Sequence, residues 1–162
     1  MSDDRTSLVL PALDPDGVER QVGTRYPPPF NEPVAARERR ALGDALGLKK
    51  FGVNLLRLPP GCQSSQRHWH TKSDEFIFIV EGELVLVTDD GEQLLGAGMT
   101  AGFPANSGDG HCLINRTDKD ALILEVGNRA KGDEVDYSDI DMQGRIVDGV
   151  RRYVRNDGTV YE

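Results

Sequence analysis

From Phe51 onward, the sequence consists of short apolar runs separated by turn-forming residues. The runs are FGVNLLRL, EFIFIV, ELVLVT, EQLL, MTAGF, HCLIN and ALILEV, and the separators include PPG, DDG, GAG and PANSGDG. Several short strands at regular spacing are typical of a β-sandwich or barrel. The 162 residues are enough for one domain with a substantial core. We therefore predict an all-β domain whose barrel covers residues 51–129.

The segments on either side of the barrel carry weaker patterns. Residues 1–50 contain the turn signals LDPDG and YPPPF and predict an irregular arm. Within this arm, residues 31–47 fit either a short helix capped by Asn31 or a first strand, and we favour the helix. Residues 130–162 form a C-terminal extension, in which NDGT predicts the turn of a final hairpin.

The charge and the apolar pattern restrict the partners. A formal net charge of -8 repels phosphate backbones, so we expect no nucleic-acid partner. No run approaches about eighteen apolar residues, so no membrane span is expected. The acidic start MSDDRTSLVL lacks the order of a signal peptide, which favours the cytoplasm. Cys62 and Cys112 fit that compartment as free thiols.

An anionic substrate would have to be bound by local arginines, because the overall charge is unfavourable to it. Arg57, Arg67 and Arg116 are candidates for that role. The ARERR run at residues 36–40 is expected to be a solvated face.

The three histidines of the chain lie in two places. His68 and His70 flank a single residue in RHWH, and His111 begins HCLIN. In a strand, residues two apart share a face, so His68 and His70 are expected to point the same way. After the turn-like TKSD, Glu75 can open the next strand and face the same centre.

Three imidazoles and one carboxylate that converge from neighbouring strands predict a metal site. We expect His68, His70, Glu75 and His111 to bind one divalent transition metal, Zn, Fe, Mn or Ni. Four protein ligands leave up to two positions of an octahedral shell for water, dioxygen or a chelating substrate. Such an open shell favours chemistry over a purely structural metal.

The same segment resembles the first motif of the cupin superfamily, in which a glycine is followed by HxH, a glutamate and a closing glycine. Here the motif comprises Gly61, His68, His70, Glu75 and Gly82. The gap between the first glycine and the first histidine is one residue longer than usual.

The second cupin motif resembles GMTAGFPANSGDGHCLIN. Gly98, Pro104, His111 and Asn115 fall in the expected order, with two extra residues between the proline and the histidine. The usual PxG is not kept, which affects the expected loop shape rather than the ligand. The resemblance covers roughly residues 52–129.

The resemblance implies a double-stranded β-helix, or jelly-roll, barrel with a metal inside, and a homodimer. Small cupins include dioxygenases, decarboxylases, lyases and sugar-phosphate isomerases, so it also implies a metal-dependent enzyme acting on a small molecule. Glu75 and Glu125 are the candidate catalytic residues. The alternative is a non-catalytic barrel that binds or senses a small molecule.

Strand alternation separates the remaining candidates. Cys112 and Trp69 alternate with the predicted ligands, so both are expected to point away from the metal. Glu125, in ALILEV, fits either a base near the metal or an exposed strand end, and the sequence leaves both open.

Overall fold

The computed structural model describes residues 8–162, and the regular secondary structure of this part is almost entirely β-strand. The helix α1, Leu42–Ala45, has a single turn. No helix in the described part is long and apolar enough to cross a membrane. The strands are β1 (Arg20–Val22), β2 (Glu38–Arg40), β3 (Phe51–Leu58), β4 (His68–His70), β5 (Glu75–Glu81), β6 (Glu83–Thr88), β7 (Gly91–Gly96), β8 (Thr100–Phe103), β9 (Cys112–Ile114), β10 (Ala121–Asn128), β11 (Val135–Tyr137), β12 (Gln143–Val147) and β13 (Val150–Val154).

The strands form three antiparallel sheets. One sheet has the order β1-β2-β3-β10-β5-β8, a second has the order β13-β12-β11-β4, and a third has the order β7-β6-β9. Neighbours such as β3 and β10 are far apart in sequence, so the chain crosses between sheets as it does in a jelly roll. This arrangement confirms the predicted all-β jelly-roll fold.

The main core lies between the six-stranded and three-stranded sheets. Alternate residues of β3, β5 and β10 point inward, as the two-residue period of a strand requires. Leu56, Ile79 and Ile123 have no exposed surface. Truncating one of them to Ala would cost about 2–5 kcal/mol through lost contacts and the cavity left behind. The other buried members are Leu58, Cys62, Ile77, Leu84, Leu86, Leu95, Leu113 and Ala121.

The helix favoured for residues 31–47 is not formed. Glu32–Val34 makes one turn of 3-10 helix, Glu38–Arg40 is strand β2, and only Leu42–Ala45 is α-helical. Strand β2 pairs with β3, with Arg39 opposite Leu56. The unpaired edge of β3 therefore outweighs the local helix preference of the segment, a common outcome because propensity is a weak signal.

The predicted turn at NDGT is present, and a longer hairpin precedes it in the C-terminal extension. Strands β12 and β13 are joined by Asp148 and Gly149, whose φ angles of 52° and 77° suit a tight hairpin turn. NDGT then reverses the chain once more, so that Val160 forms an antiparallel bridge with Val154. Through β11, this sheet pairs with β4, the strand that carries two of the histidines.

Candidate metal centre

The four predicted ligands come together at one end of the main core. His68 and His70 form the two ends of β4, and Glu75 is the first residue of β5. His111 precedes β9, and its backbone exchanges two hydrogen bonds with that of His68, at 3.2 and 2.9 Å. Strand β4, the start of β5 and the residue before β9 thus present their side chains to a common centre.

The distances within this cluster suit a single metal ion. The Nε2 atoms of His68, His70 and His111 lie 3.6, 3.5 and 3.0 Å from the carboxylate oxygens of Glu75. Atoms bound to one metal at about 2.1 Å stand about 3.0 Å apart at right angles and about 3.4 Å apart in a tetrahedron. His68, His70 and Glu75 each offer a ligand atom within 4.8 Å of the other two, so these three could hold a metal, whereas His111 does not lie this close to all three of them.

Two of the imidazoles are oriented by hydrogen bonds from their other ring nitrogen. His68 Nδ1 lies 2.9 Å from the carbonyl oxygen of Gln66, and His70 Nδ1 lies 2.6 Å from Asp133 Oδ2. Because a carbonyl or carboxylate oxygen only accepts, each Nδ1 must carry the proton. The lone pair of each Nε2 therefore faces the cluster, which is the arrangement that metal ligation needs.

Asp133 is a site residue that the sequence did not indicate. It is buried, and its Oδ1 accepts hydrogen bonds from the backbone N–H groups of Lys72 and Ser73. Burial opposes its ionisation, but the bonds from His70 and Lys72 hold its pKa below the usual range. No local motif marks it, because it reaches His70 from 63 residues away.

Glu75 Oε2 is a buried oxygen without a hydrogen-bond donor among the described residues. An unsatisfied buried polar atom costs about 1–3 kcal/mol, so a cation at this position would remove a real penalty. His111 Nδ1 is also buried and without a partner in the described part of the chain. The Phe103 ring instead stacks on His111, with the ring centres 3.5 Å apart and the planes 1° from parallel. The donor set therefore fits a divalent transition metal.

The titration of the cluster favours a bound cation. Burial opposes the ionisation of Glu75, but His111 and His68 outweigh it and hold its pKa well below the usual range. Burial lowers the pKa of His111. Burial also disfavours the charged form of His68, yet Glu75 outweighs it and raises the pKa of His68. Glu75 therefore stays ionised among the imidazoles, which favours a bound cation.

The cluster opens into a cavity of about 360 Å³, a size suited to a small molecule. Glu125, on β10, lines this cavity beside Glu75, since its strand neighbours are Ile77 and Asn54 on the same inner face. The exposed-strand-end alternative is therefore excluded. Burial raises the pKa of Glu125 to about 7, and the charge of Glu75 adds to the rise. Other lining residues are Tyr26, Arg37, Arg39, Ser64 and Phe103.

The arginines suggested by the sequence do not line this cavity. Arg57, Arg67 and Arg116 each pair with one or two carboxylates. Arg37 and Arg39 line it instead, so the ARERR run is not simply a solvated face. The difference arises because the extended chain around β2 turns alternate residues towards the barrel, whereas the charge pattern alone suggested solvent.

Cys112 and Asn115 have structural surroundings. Cys112 is buried, it does not line the cavity, and burial raises the pKa of its thiol to about 11, which disfavours a nucleophile. The side-chain amide of fully buried Asn115 donates to the carbonyl oxygens of Leu58 and Lys119. Both residues therefore support the barrel beside the cluster.

A jelly-roll barrel that carries an HxH pair, a glutamate and a third histidine in its interior has the architecture of a cupin. Residues 54–127 match the cupin domain family. A solved structure from Silicibacter pomeroyi, described as a sugar phosphate isomerase of the cupin superfamily, is 44% identical with a TM-score of 0.89. The similarity covers 94% of this chain and 97% of that chain. The chain therefore belongs to the cupin superfamily.

Two further solved structures are similar at lower identity. An Acidithiobacillus ferrooxidans protein, provisionally named a sugar phosphate isomerase, is 26% identical over 86% of this chain and 85% of that chain, with a TM-score of 0.74. A polyketide cyclase from Streptomyces resistomycificus is 18% identical over 72% of this chain and 78% of that chain, with a TM-score of 0.59, and shares the fold. None of the curated proteins matches this chain.

Proposed function

We propose that this chain is a metal-dependent isomerase that moves a proton between adjacent carbons of a small hydroxy-carbonyl compound. His68, His70, Glu75 and His111 hold one divalent transition metal, and Glu125 transfers the proton. The observation that carries the proposal is that Glu125 lines the same cavity as the metal cluster.

The comparisons favour this reaction over the dioxygenase and decarboxylase chemistry that other cupins perform. The Silicibacter pomeroyi protein, similar over nearly the whole length of both chains, is described as a sugar phosphate isomerase. The Acidithiobacillus ferrooxidans protein carries the same description provisionally. An interconversion of aldose and ketose is a proton transfer with no net oxidation, so one well-placed carboxyl group can perform it.

Glu125 has the properties that a proton-transfer group needs. As a carboxylate it takes the proton from the carbon that bears the hydroxyl, the C–H electron pair becomes the C=C bond of an enediolate, and the C=O pair moves to the carbonyl oxygen. The same carboxyl group then returns the proton to the former carbonyl carbon, while the hydroxyl proton passes to the former carbonyl oxygen. A pKa of about 7 lets one group act first as base and then as acid near neutral pH.

Asn54 and Tyr26 complete the polar lining near Glu125. Asn54 is the cross-strand neighbour of Glu125, which brings the two side chains within about 5.5 Å at the Cβ atoms. Burial raises the pKa of Tyr26 to about 12, so its hydroxyl stays protonated and can donate to a substrate oxygen. A bound divalent metal supplies Lewis acidity that polarises the substrate carbonyl.

Solvent exchange tests the proposal most simply. The protein is loaded in turn with Zn, Mn, Fe or Ni and incubated in deuterated water with aldoses and ketoses, with and without a phosphate group. NMR then follows deuterium at the two carbons. We expect exchange with at least one metal, and a loss of roughly 100-fold or more in Glu125→Gln with its metal content unchanged.

Glu83→Gln is the matched control, because Glu83 is exposed at the start of β6. It should exchange at the wild-type rate. Exchange at full rate in Glu125→Gln would remove the assigned base. Metal-dependent oxygen uptake without exchange would indicate dioxygenase chemistry, and ligand binding without turnover by any metal form would indicate a binding protein.

We also propose that the chain forms a homodimer through the outer face of β5. Phe76, Phe78 and Val80 point away from the core on this strand and are 44%, 38% and 43% exposed. Phe51, on β3 of the same sheet, is 42% exposed. Several exposed large apolar side chains on one sheet are typical of an interface.

A further inference from the structure

The arginines of residues 8–162 fall into two groups. Most pair with a carboxylate at salt-bridge distance, which is expected in a chain of net charge -8. The paired arginines are Arg20, Arg40, Arg57, Arg67, Arg116, Arg129, Arg145 and Arg151. Within the described residues, five arginines have no such partner, namely Arg25, Arg37, Arg39, Arg152 and Arg155, and the first three line one cavity.

This arginine cavity has a volume of about 530 Å³. Its lining includes Arg25, Arg37, Arg39, Gln21, Thr24 and Tyr153, and no carboxylate among the described residues lines it. Three positive charges therefore converge on one cavity without a negative side chain in its walls. Such an arrangement attracts an anion.

The guanidinium groups are held by neutral acceptors, which position them without cancelling their charge. Arg37 donates to the backbone carbonyl oxygens of Ser64 and Gly23, and its Nε is buried with no hydrogen-bond partner in the described part. Arg39 donates to Gln21 Oε1 at 2.5 Å. Guanidinium groups in fixed orientations match the oxygens of a phosphate through paired hydrogen bonds.

Arg37 and Arg39 also line the cavity that contains Glu125 and the histidine cluster. These two side chains thus form part of the wall of both cavities. Burial raises the pKa of Glu125, and the positive charges of Arg37 and Arg39 oppose that rise, which places both charges within electrostatic reach of the carboxyl group. A ligand bound at the arginines would therefore lie next to the cavity that contains Glu125.

We propose that Arg25, Arg37 and Arg39 bind a phosphate group of the substrate while its carbonyl end lies beside Glu125. The proposal rests on the proposed isomerase function and names its substrate class, a phosphorylated hydroxy-carbonyl compound. A phosphate dianion matches three guanidinium charges better than a carboxylate does, because it carries about twice the negative charge and an additional acceptor oxygen.

Calorimetric titration with inorganic phosphate tests the arginine site directly. Chelator-treated protein is used, so that phosphate cannot bind to a metal instead. We expect wild-type protein to bind phosphate and Arg39→Gln and Arg25→Gln to bind it about tenfold more weakly, as loss of one charge-assisted hydrogen bond predicts. Arg152→Gln is the matched control, because Arg152 is exposed and lines neither cavity. It should bind like wild type.

The choice of variants separates lost binding from lost folding. Arg37 is left intact because its bonds to Ser64 and Gly23 tie loops together. Arg25 is exposed and makes no side-chain hydrogen bond within the described residues, so Arg25→Gln should melt like wild type. If phosphate binding is absent at millimolar concentration, or is equally weakened in Arg152→Gln, the site is wrong. Equally tight, arginine-dependent acetate binding would also overturn the assignment to phosphate.

This test and the isomerase test fail independently. Arginine-dependent phosphate binding without any solvent exchange would refute the reaction and leave the anion site in place. Two results together would refute the anion site and keep the reaction. Unphosphorylated sugars would exchange as fast as phosphorylated ones, and Arg39→Gln and Arg25→Gln would bind phosphate as tightly as wild type does.

Discussion

His70 Nδ1 lies 2.6 Å from Asp133 Oδ2, and this contact ties the proposed metal ligand to a residue 63 positions later in the chain. The contact fixes the proton on Nδ1 and leaves Nε2 free to face Glu75. Asp133 is held in turn by the backbone N–H groups of Lys72 and Ser73, which belong to the turn between β4 and β5. The orientation of His70 therefore depends on the packing of the C-terminal extension against the barrel.

Replacing Asp133 should weaken metal binding without removing a ligand. In Asp133→Asn the acceptor is neutral, so the His70 imidazole is held less firmly and is less basic. We expect the metal affinity to fall about tenfold, which is the smallest loss usually seen when a residue that supports a metal ligand is replaced. Competition with a chelating dye measures it. Exposed Asp118, changed to Asn, is the control, and equal affinity in both variants would contradict the role of Asp133.

Glu125 should make the metal-free protein less stable as the pH rises. Its folded pKa of about 7 lies above the reference value of 4.5, so the unfolded chain loses this proton first. The associated stability is complete below about pH 4.5 and is lost as the pH rises through 7, a loss of at most about 3 kcal/mol. In chelator-treated protein, Glu125→Gln should melt above wild type at pH 8, with a difference that shrinks towards pH 5. A constant difference would show that Glu125 titrates normally.

The stabilisation that metal provides should shrink as the pH falls. A ligating imidazole must be neutral, and its unperturbed pKa is about 6.5. Protons therefore compete with metal for the imidazoles as the pH falls towards 5. Burial lowers the pKa of His68, but Glu75 outweighs burial and raises it. Protonation of His68 therefore stabilises the folded, metal-free protein at low pH, and this stabilisation is lost as the pH rises. Melting curves with and without chelator should therefore separate at pH 8 and converge at pH 5. A separation that is the same at both ends would contradict histidine ligation.

A charge placed on the outer face of β5 should dissociate the proposed dimer. Light scattering at micromolar concentration should give a dimer for wild type and a monomer for Phe78→Glu, because two like charges would be buried at the interface. Leu94→Glu is the control, because Leu94 is 60% exposed on a different sheet. A monomeric wild type, or dissociation by Leu94→Glu as readily as by Phe78→Glu, would exclude this interface.

Local sequence patterns were sufficient to place three of the four predicted ligands, His68, His70 and Glu75, close together. The two-residue period of a strand puts His68 and His70 on one face, and the polar TKSD allows the reversal that brings Glu75 back to them. The same period puts Ile77 and Ile79 in the core behind Glu75. These relationships span few residues, so alternation and turn chemistry determine them.

The remaining features depend on contacts between distant segments. The composition around Arg37 and Arg39 favours a helix, yet the edge of β3 pairs with this segment as a strand and turns both arginines towards the cavities. Asp133 reaches His70 because β11 pairs with β4 in one register, which sequence spacing does not define. The position of Glu125 likewise follows from the register of β10 between β3 and β5.

Metal content per chain tests the central claim most directly. Elemental analysis of purified wild-type protein should give about one divalent transition metal per chain, the stoichiometry of a single four-ligand site. His70→Ala and His111→Ala should each lose most of it. Cys112→Ala, which changes the neighbour of one ligand but no ligand, should keep it. Undiminished metal in both histidine variants would contradict the site and the function built on it.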